Sequence, residues 1–444
     1  MADLAPAPSA TSATSATATR VKSYTSTASH LAYPRGHLGY LSVHEEDALA
    51  NFKQVLEQRG AWKRGPPASH DDQTLLRYLR ARRWVVNDAY KQFKDTEVWR
   101  AANNIETLYR TIELEAYEQS RRLYPQWTGR RDRRGNPLYV YEMRHLNSQT
   151  VSEYERSGAK STFSDAKTDG KTPPGLLRLF ALYENLTRFS QPFCTQLSDR
   201  ECPDVPVSMS TNIIDASGVG LKQFWNLKNH MQAASQLATA HYPETLDKIF
   251  VVGAPPFFGT VWGWIKRWFD PMTVSKIFVL SPHEVKPTLE AFIEPRNIPK
   301  KYGGELDFGF GRPCVPDPSW DGVVSWENGY TSFPSGPLSW EEVDDGQRVA
   351  CVALGKEGGK PRNVIICTMP KLWPPRMDER DSHQTESEKA TTNQGSEPTQ
   401  AAQGAMDEGD ETVGAFTNGH FEEKMRLAGE TNESASLAQT ATAA

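Results

Sequence analysis

The chain has 444 residues, enough for roughly two or three domains, with 24% charged side chains and a net charge of −5. That charge is unevenly spread: from Arg376 onward 14 acidic side chains face 5 basic ones, so a body of +4 carries a tail of −9. So weakly basic a body argues against a nucleic-acid partner, though clustered cations would suit an anionic membrane surface; the five cysteines, odd in number and without a CxxC pair, indicate neither a disulfide framework nor a zinc site and fit a reducing cytosol best.

Residues 1–35 are mostly Ala, Ser, Thr and Pro and read as a disordered N-terminal segment without the basic-then-apolar pattern of a signal peptide. Residues 42–120 read as a helical lobe. Ser42 and Glu45 form a capping box for a helix running to Gly60. In "QTLLRYLRARRW" Leu75, Leu76 and Leu79 share a face while Arg77, Arg80 and Arg83 project elsewhere. The cluster Arg77, Arg80, Arg82 and Arg83 reads as a solvated helix face, with an anion site as the alternative. A third helix, after Asn87, sets Ala89, Phe93, Thr96 and Trp99 on one side.

From Pro137 strands alternate with helices, which argues for an α/β fold with crossover connections. "PLYVYEM", "VSMSTNIID", "LDKIFVVGA" and "VSKIFVL" read as strands. "LLRLFALYENLTRF", "LKQFWNLKNHMQAASQLATAHY", "PFFGTVWGWIKRWF" and "PTLEAFI" read as helices, the last with Pro287 in its first turn. The polar stretch 146–175 between the first strand and first helix reads as a surface insertion. Residues 312–374 form a Pro-, Gly- and Trp-rich extension with a hairpin in "RVACVALGKEGGKPRNVIICTM", and residues 375–444 a disordered acidic tail.

No GxSxG, Walker, HExxH or GxGxxG motif is present and the histidines show no metal-ligand spacing, so the chain is expected to be no enzyme and to use no catalytic residue, metal or cofactor. No apolar run approaches the ~20 residues of a bilayer span, so membrane contact is expected to be peripheral. In "PFFGTVWGWIKRWF" the residues Phe257, Phe258, Val261, Trp262, Trp264, Ile265, Trp268 and Phe269 fall on one broad arc, opposite Gly259, Thr260, Gly263, Lys266 and Arg267. Two readings fit: a core-facing helix, or a mobile cover over an apolar cavity that presents Trp and Lys/Arg to a membrane. In the strand reading of "VSKIFVL", Lys276 shares a face with Val274, Phe278 and Leu280. A buried charge needs a partner, and Glu244, by default a surface carboxylate, is the candidate if neighbouring strands bring the two together.

The segments "DDQTLLRYLRARRW", "LYPQWTGRRDRRGNPLYVYE", "YPETLDKIFVVGAP", "FDPMTVSKIFVL" and "NIPKKYGGEL", in that order, resemble the CRAL-TRIO lipid-transfer family, in particular its yeast-type phosphatidylinositol/phosphatidylcholine transfer branch. The resemblance implies an N-terminal helical lobe and, over residues 121–311, a lipid-binding lobe in which a mixed β-sheet floors a hydrophobic pocket. It implies a helical gate built from Phe257, Phe258, Val261, Trp262, Ile265, Trp268 and Phe269. It also implies a phosphatidylinositol headgroup site at Arg82, Arg83, Glu244, Thr273 and Lys276, with Arg83 where the family carries lysine. For a second lipid the matching groups are Tyr139, Tyr183 and Ser210. Thr128, Asn212 and Ala238 depart from the expected tyrosine, threonine and serine, which weakens a choline-phosphate site. The expected function is non-catalytic transfer of phosphatidylinositol by a cytoplasmic monomer that touches internal membranes (Golgi, endoplasmic reticulum or endosome) transiently. The alternatives are a carrier or sensor of a non-phospholipid hydrophobe such as a sterol, and a scaffold presenting phosphatidylinositol to a lipid kinase.

Overall fold

The computed structural model describes residues 33–160, 163–268, 271–315 and 317–373. Most of the N-terminal segment and all of the tail expected to be disordered lie outside the described residues, as does Phe269.

Helix α1 (Val43–Gln58) opens on the Ser42/Glu45 box, with the Glu45 carboxylate accepting from the Ser42 N–H at 2.9 Å. Helix α2 (Asp72–Ala81) is capped by Asp71, which accepts from the Thr74 N–H at 2.8 Å, and α3 (Val86–Ala102) packs across both. Phe52, Leu56, Leu75, Leu79 and Phe93 are fully buried where the three meet. Each such side chain withdrawn from water contributes about 1.5–3 kcal/mol. Helices α4 (Ile105–Thr111) and α5 (Leu114–Leu123) lead to the second lobe.

A five-stranded sheet forms its centre: β1 (Gln126–Arg131), β2 (Pro137–Glu142), then β3 (Ser210–Asp215) after α6 (Ser148–Lys160), α7 (Pro174–Asn185) and α8 (Gln191–Gln196). Helix α9 (Leu221–His241) leads to β4 (Leu246–Val252). Helices α10 (Phe258–Ile265) and α11 (Pro271–Ser275) precede β5 (Ile277–Val279), and α12 (Pro282–Phe292) follows it. Strand order is β1-β2-β3-β4-β5, antiparallel for β1 against β2 and parallel throughout the rest. The two-residue period of a strand gives the sheet two different faces. Leu138, Val140, Ile213, Phe250, Val252 and Phe278 point to one, where Leu289 and Phe292 of α12 cover them. Tyr139, Asn212, Ile249 and Ile277, paired in register across four strands, belong to the other.

Four sequence expectations need correction. Strand β1 was not anticipated: its run "QWTGRR" has no apolar alternation, and its register slips between Trp127 and Arg131. Gly129 sits there at φ +88°, so close to Val315 that a Cβ would stand 2.2 Å from that carbonyl oxygen. The polar stretch 146–175 holds helix α6, because Val151 and Tyr154 bury one side of it. Helix α12 starts at Pro282 with a Ser281/Glu284 capping box, so Pro287 lies inside the helix. Finally, Pro271–Ser275 is a helical turn and only Ile277–Val279 is strand, which puts Lys276 in the turn just before β5. Proline fits a first helical position, and that preference overrides the apolar run after it.

A second sheet follows: β6 (Ser325–Trp326), β7 (Leu338–Val343), β8 (Arg348–Ala353), β9 (Lys356–Glu357), β10 (Lys360–Pro361) and β11 (Val364–Pro370). Strands β6-β11-β8-β7 are antiparallel and β9 pairs β10 apart from them. An aromatic cluster joins this sheet to α8. The Phe193 ring meets Trp320 at 4.8 Å and Phe333 at 5.3 Å, and the Trp340 indole donates to the Phe189 carbonyl at 3.1 Å.

Candidate functional site

Above the second sheet face lies a cavity of about 730 Å³, within the ~300–1,000 Å³ of small-ligand sites. Its floor is the register row Tyr139, Asn212, Ile249 and Ile277, with Tyr141, Ile214 and Val251 as a second row. Leu179, Leu182 and Tyr183 of α7 form one wall, and Met231, Ala234 and Ala238 of α9 another. Phe258, Trp262 and Ile265 of α10 cover it. The charged groups collect at the end where β4 and β5 begin.

Parallel register creates that charged end. Because Ile249 pairs Ile277, the residues leading into β4 and β5 lie side by side, and Glu244 and Lys276 meet there. The Lys276 ammonium donates to the Glu244 carboxylate at 3.2 Å and to the Leu246 carbonyl at 2.9 Å, leaving one of its three N–H bonds to spare among the described residues. The lysine side chain is 11% exposed and the glutamate 23%. So Lys276 does not stand among apolar strand neighbours: it caps the parallel strands from a turn. Glu244 holds φ at +55°, and Arg83 and Trp84 hold +49° and +66°. Such left-handed residues cost of order 1–3 kcal/mol each and persist where surrounding bonds over-determine them. Here the Trp84 N–H donates to the Leu79 carbonyl at 2.8 Å and that of Arg82 to Tyr78 at 3.1 Å.

Arg82, Arg83, Glu244, Thr273 and Lys276 all line this one cavity. Arg82 and Arg83 are exposed at its mouth. Arg77 and Arg80 depart from the solvated face expected of them. Arg77 is buried and donates from Nε to the Pro243 carbonyl at 2.9 Å, tying α2 to the turn that carries Glu244. Arg80 also lines the cavity. Its Nη1 donates to the Gly36 carbonyl at 3.2 Å, its buried Nε has no partner among the described residues, and burial, opposed by Glu244, brings its pKa down to about 10. A leucine stripe indicates which side of a helix is apolar; it cannot reveal that another lobe covers the arginine side too.

The same turn is held from behind by a network invisible in the sequence. The Tyr242 hydroxyl donates to Glu184 at 2.6 Å, and Arg100 and Arg188 reach the same carboxylate at 2.7 Å each. Burial would raise the Glu184 pKa, but the two guanidinium groups bring it down to about 2.

Of the second-lipid candidates, Tyr139, Tyr183 and Ser210 line the cavity, with Asn212 and Ala238. The Tyr139 hydroxyl pairs with Ser190 at 2.9 Å, and Ser210 donates to the Thr245 carbonyl at 3.1 Å while accepting from the Asn212 amide at 3.2 Å. Burial pushes Tyr183 up to about 12, so it stays a neutral hydroxyl. Thr128 does not line the cavity; it is buried and donates to the Leu138 carbonyl at 3.0 Å. Sequence reasoning missed Tyr124 and His230, a polar pair in the lining joined at 2.6 Å. Among the expected gate residues, Val261 packs away from the cavity on Phe224 and Val219, with Phe257 beside it.

Residues 121–304 match the CRAL/TRIO domain and residues 47–95 the CRAL/TRIO N-terminal domain. The "SEC14 cytosolic factor" of Eremothecium gossypii is 30% identical over 272 residues, spanning 61% of this chain and 80% of that protein. The "Phosphatidylinositol/phosphatidylcholine transfer protein SFH7" of Arabidopsis thaliana is 28% identical over 246 residues, 54% of this chain and 40% of that protein. A solved structure, "Crystal structure of Sfh5", aligns with a TM-score of 0.42 at 15% identity, covering 63% of this chain and 94% of that one.

Proposed function

Because the chain belongs to the CRAL-TRIO lipid-transfer family, in the branch of the SEC14 cytosolic factors, whose members are not enzymes, we propose that it carries phosphatidylinositol between membranes in the cavity above the sheet. The observation that carries this reading is the gathering of Arg82, Arg83, Glu244, Thr273 and Lys276 at one end of an otherwise largely apolar cavity. The Lys276 N–H not used by Glu244 or Leu246 meets the lipid phosphate, with Arg82 and Arg83 adding charge-assisted bonds from the mouth. Glu244 and Thr273 hydrogen-bond inositol hydroxyls. The acyl chains lie along the Tyr139–Ile277 floor, exchanging bilayer hydrocarbon for protein hydrocarbon. The net drive for extraction is therefore small and exchange is reversible. Headgroup contacts set selectivity, and α10 moves to let the lipid pass.

A second phospholipid exchanged for it shares the apolar floor. The Tyr183 hydroxyl, without a hydrogen bond among the described residues, is the polar group left for it, since Tyr139 and Ser210 already have protein partners. On this reading the chain is a monomer working from the cytosol on internal membranes; no helix among the described residues is long and apolar enough to cross a membrane. Mass spectrometry of lipids bound to the purified chain tests the reading. Phosphatidylinositol is expected among them; a sterol alone would contradict it.

A further inference from the structure

Helix α10 has a side that neither the cavity nor the core uses. Val261, 1% exposed, anchors it on Phe224 and Val219, and Phe258, Trp262 and Ile265 face the cavity. Trp264 follows Trp262 by two residues, about 200° further round the helix, and faces outward at 36% exposure. There its ring meets that of Trp225 on α9, with centroids 5.5 Å apart at 69°. Trp225 is itself 56% exposed and Leu221, one turn before it, 50%. Two indoles and a leucine standing together in water on one surface are unusual for a soluble chain and mark a contact site.

The frame around them has one sign of charge. Lys222 and the 3-10 turn Lys266–Trp268 supply exposed cations in Lys222, Lys266 and Arg267, and the Lys228 ammonium lies 5.2 Å above the Trp225 ring. Among the described residues none of these four has a carboxylate partner, and neither residues 218–243 nor residues 253–268 contain an Asp or Glu. A protein partner matched to this patch would need an acidic surface around an aromatic pocket. A bilayer with anionic headgroups offers both at once: indoles settle at headgroup depth while lysine and arginine stems reach phosphates beside them.

We propose that the Trp225–Trp264 pair, framed by Lys222, Lys228, Lys266 and Arg267, is a docking surface for an anionic phospholipid bilayer. It spans two helices, so docking engages the cover of the cavity and the fixed wall together. Once Trp264 is taken into the headgroup layer, its contact with Trp225 is exchanged for lipid, and the outer face of α10 is held at the membrane while its inner face still lies over the cavity. The proposal rests on the lipid-transfer reading, but its chemistry is separate from the headgroup site.

Flotation of the full chain with phosphatidylcholine vesicles, with and without phosphatidylserine, tests it. Wild type should float with the anionic vesicles and much less with the neutral ones. Trp225→Ala/Trp264→Ala should lower partitioning by at least about tenfold, and Lys222→Gln/Lys266→Gln by about fivefold for each charge removed. All four positions are exposed, and an unchanged circular dichroism spectrum establishes that each variant folds. Vesicles with brominated acyl chains should quench wild-type tryptophan fluorescence more than that of Trp225→Phe/Trp264→Phe. Equal flotation with neutral and anionic vesicles, or undiminished flotation of the double alanine variant, overturns the proposal. So does a variant that floats normally but loses self-association in the ultracentrifuge, which would make the patch an interface between copies. Bound lipid, assayed in the same preparations, separates the two readings: Trp225→Ala/Trp264→Ala should keep its phosphatidylinositol, and Lys276→Ala should lose it yet still float. Absence of phosphatidylinositol from every preparation would count against the headgroup site and leave the docking surface standing.

Discussion

At the charged end of the cavity each side chain is fixed by a backbone feature. Lys276 is placed by the turn before β5, Glu244 by a left-handed turn before β4, and Arg82 and Arg83 by the unwinding of α2. The Lys276–Glu244 pair is largely buried, so the cost of taking both charges from water offsets much of their attraction and the pair adds little net stability by itself. Glu184 behaves differently. Its side chain is 2% exposed and holds two guanidinium groups behind the Tyr242 turn. Glu184→Gln should therefore lower unfolding free energy by about 3 kcal/mol, read as a fall in the urea midpoint. A change below about 0.5 kcal/mol, the size expected of an ordinary surface substitution, would contradict the network's structural role. The sequence singles out Lys276 as a charge needing a partner and names Glu244 as the candidate. It gives no hint of Arg77, because a bond to the Pro243 carbonyl depends on how two lobes meet.

Strand β2 was legible from its aromatic and β-branched run and β3 from its Thr and Ile residues, and the long helix α9 from 21 residues without Pro or Gly. Strand β1 was hidden by a glycine and three arginine or threonine positions, and α6 by a polar composition that conceals the buried pair Val151 and Tyr154. For α10 the arc held the cavity-facing Phe258, Trp262 and Ile265, but it also held Trp264, which faces outward beside Trp225, because an arc does not say what each residue faces. Val261 proves to be the anchor and Phe258, Trp262 and Ile265 the cover. That division predicts a local effect. Val261→Ala should cost about 1 kcal/mol at this helix and so raise amide exchange over residues 258–265 several-fold, with exchange in β3 and β4 unchanged. Equal acceleration in α10 and the sheet would mean that the cover opens only by global unfolding.

At the scale of the whole molecule, burial keeps two histidines, His241 and His37, neutral in the fold. Burial, and then Arg100, lower the pKa of His241 to about 4, where its ring stacks on Trp99 at 4.2 Å; burial, and then Arg80, lower His37 to about 3. Unfolded histidine titrates near 6.5, so below that pH the unfolded chain takes up protons the folded chain refuses. This part of the stability is present above pH 6.5 and is lost as pH falls toward 4 and 3; Glu184 adds a further loss between about 4.5 and 2. Between pH 7 and 5 His241 alone should account for about 2 kcal/mol, so His241→Gln should flatten the pH dependence of the urea midpoint by that amount. In the proposed reading the molecule as a whole is a lipid carrier: a sheet floors the cavity, a helix covers it, and the charged end is the part proposed to choose the cargo. Transfer of phosphatidylinositol between vesicles by Lys276→Ala, set against wild type, tests that choice most directly. Losing a charge-assisted bond to phosphate should slow transfer by about 10- to 100-fold with an unchanged circular dichroism spectrum; transfer at the wild-type rate would contradict the headgroup site.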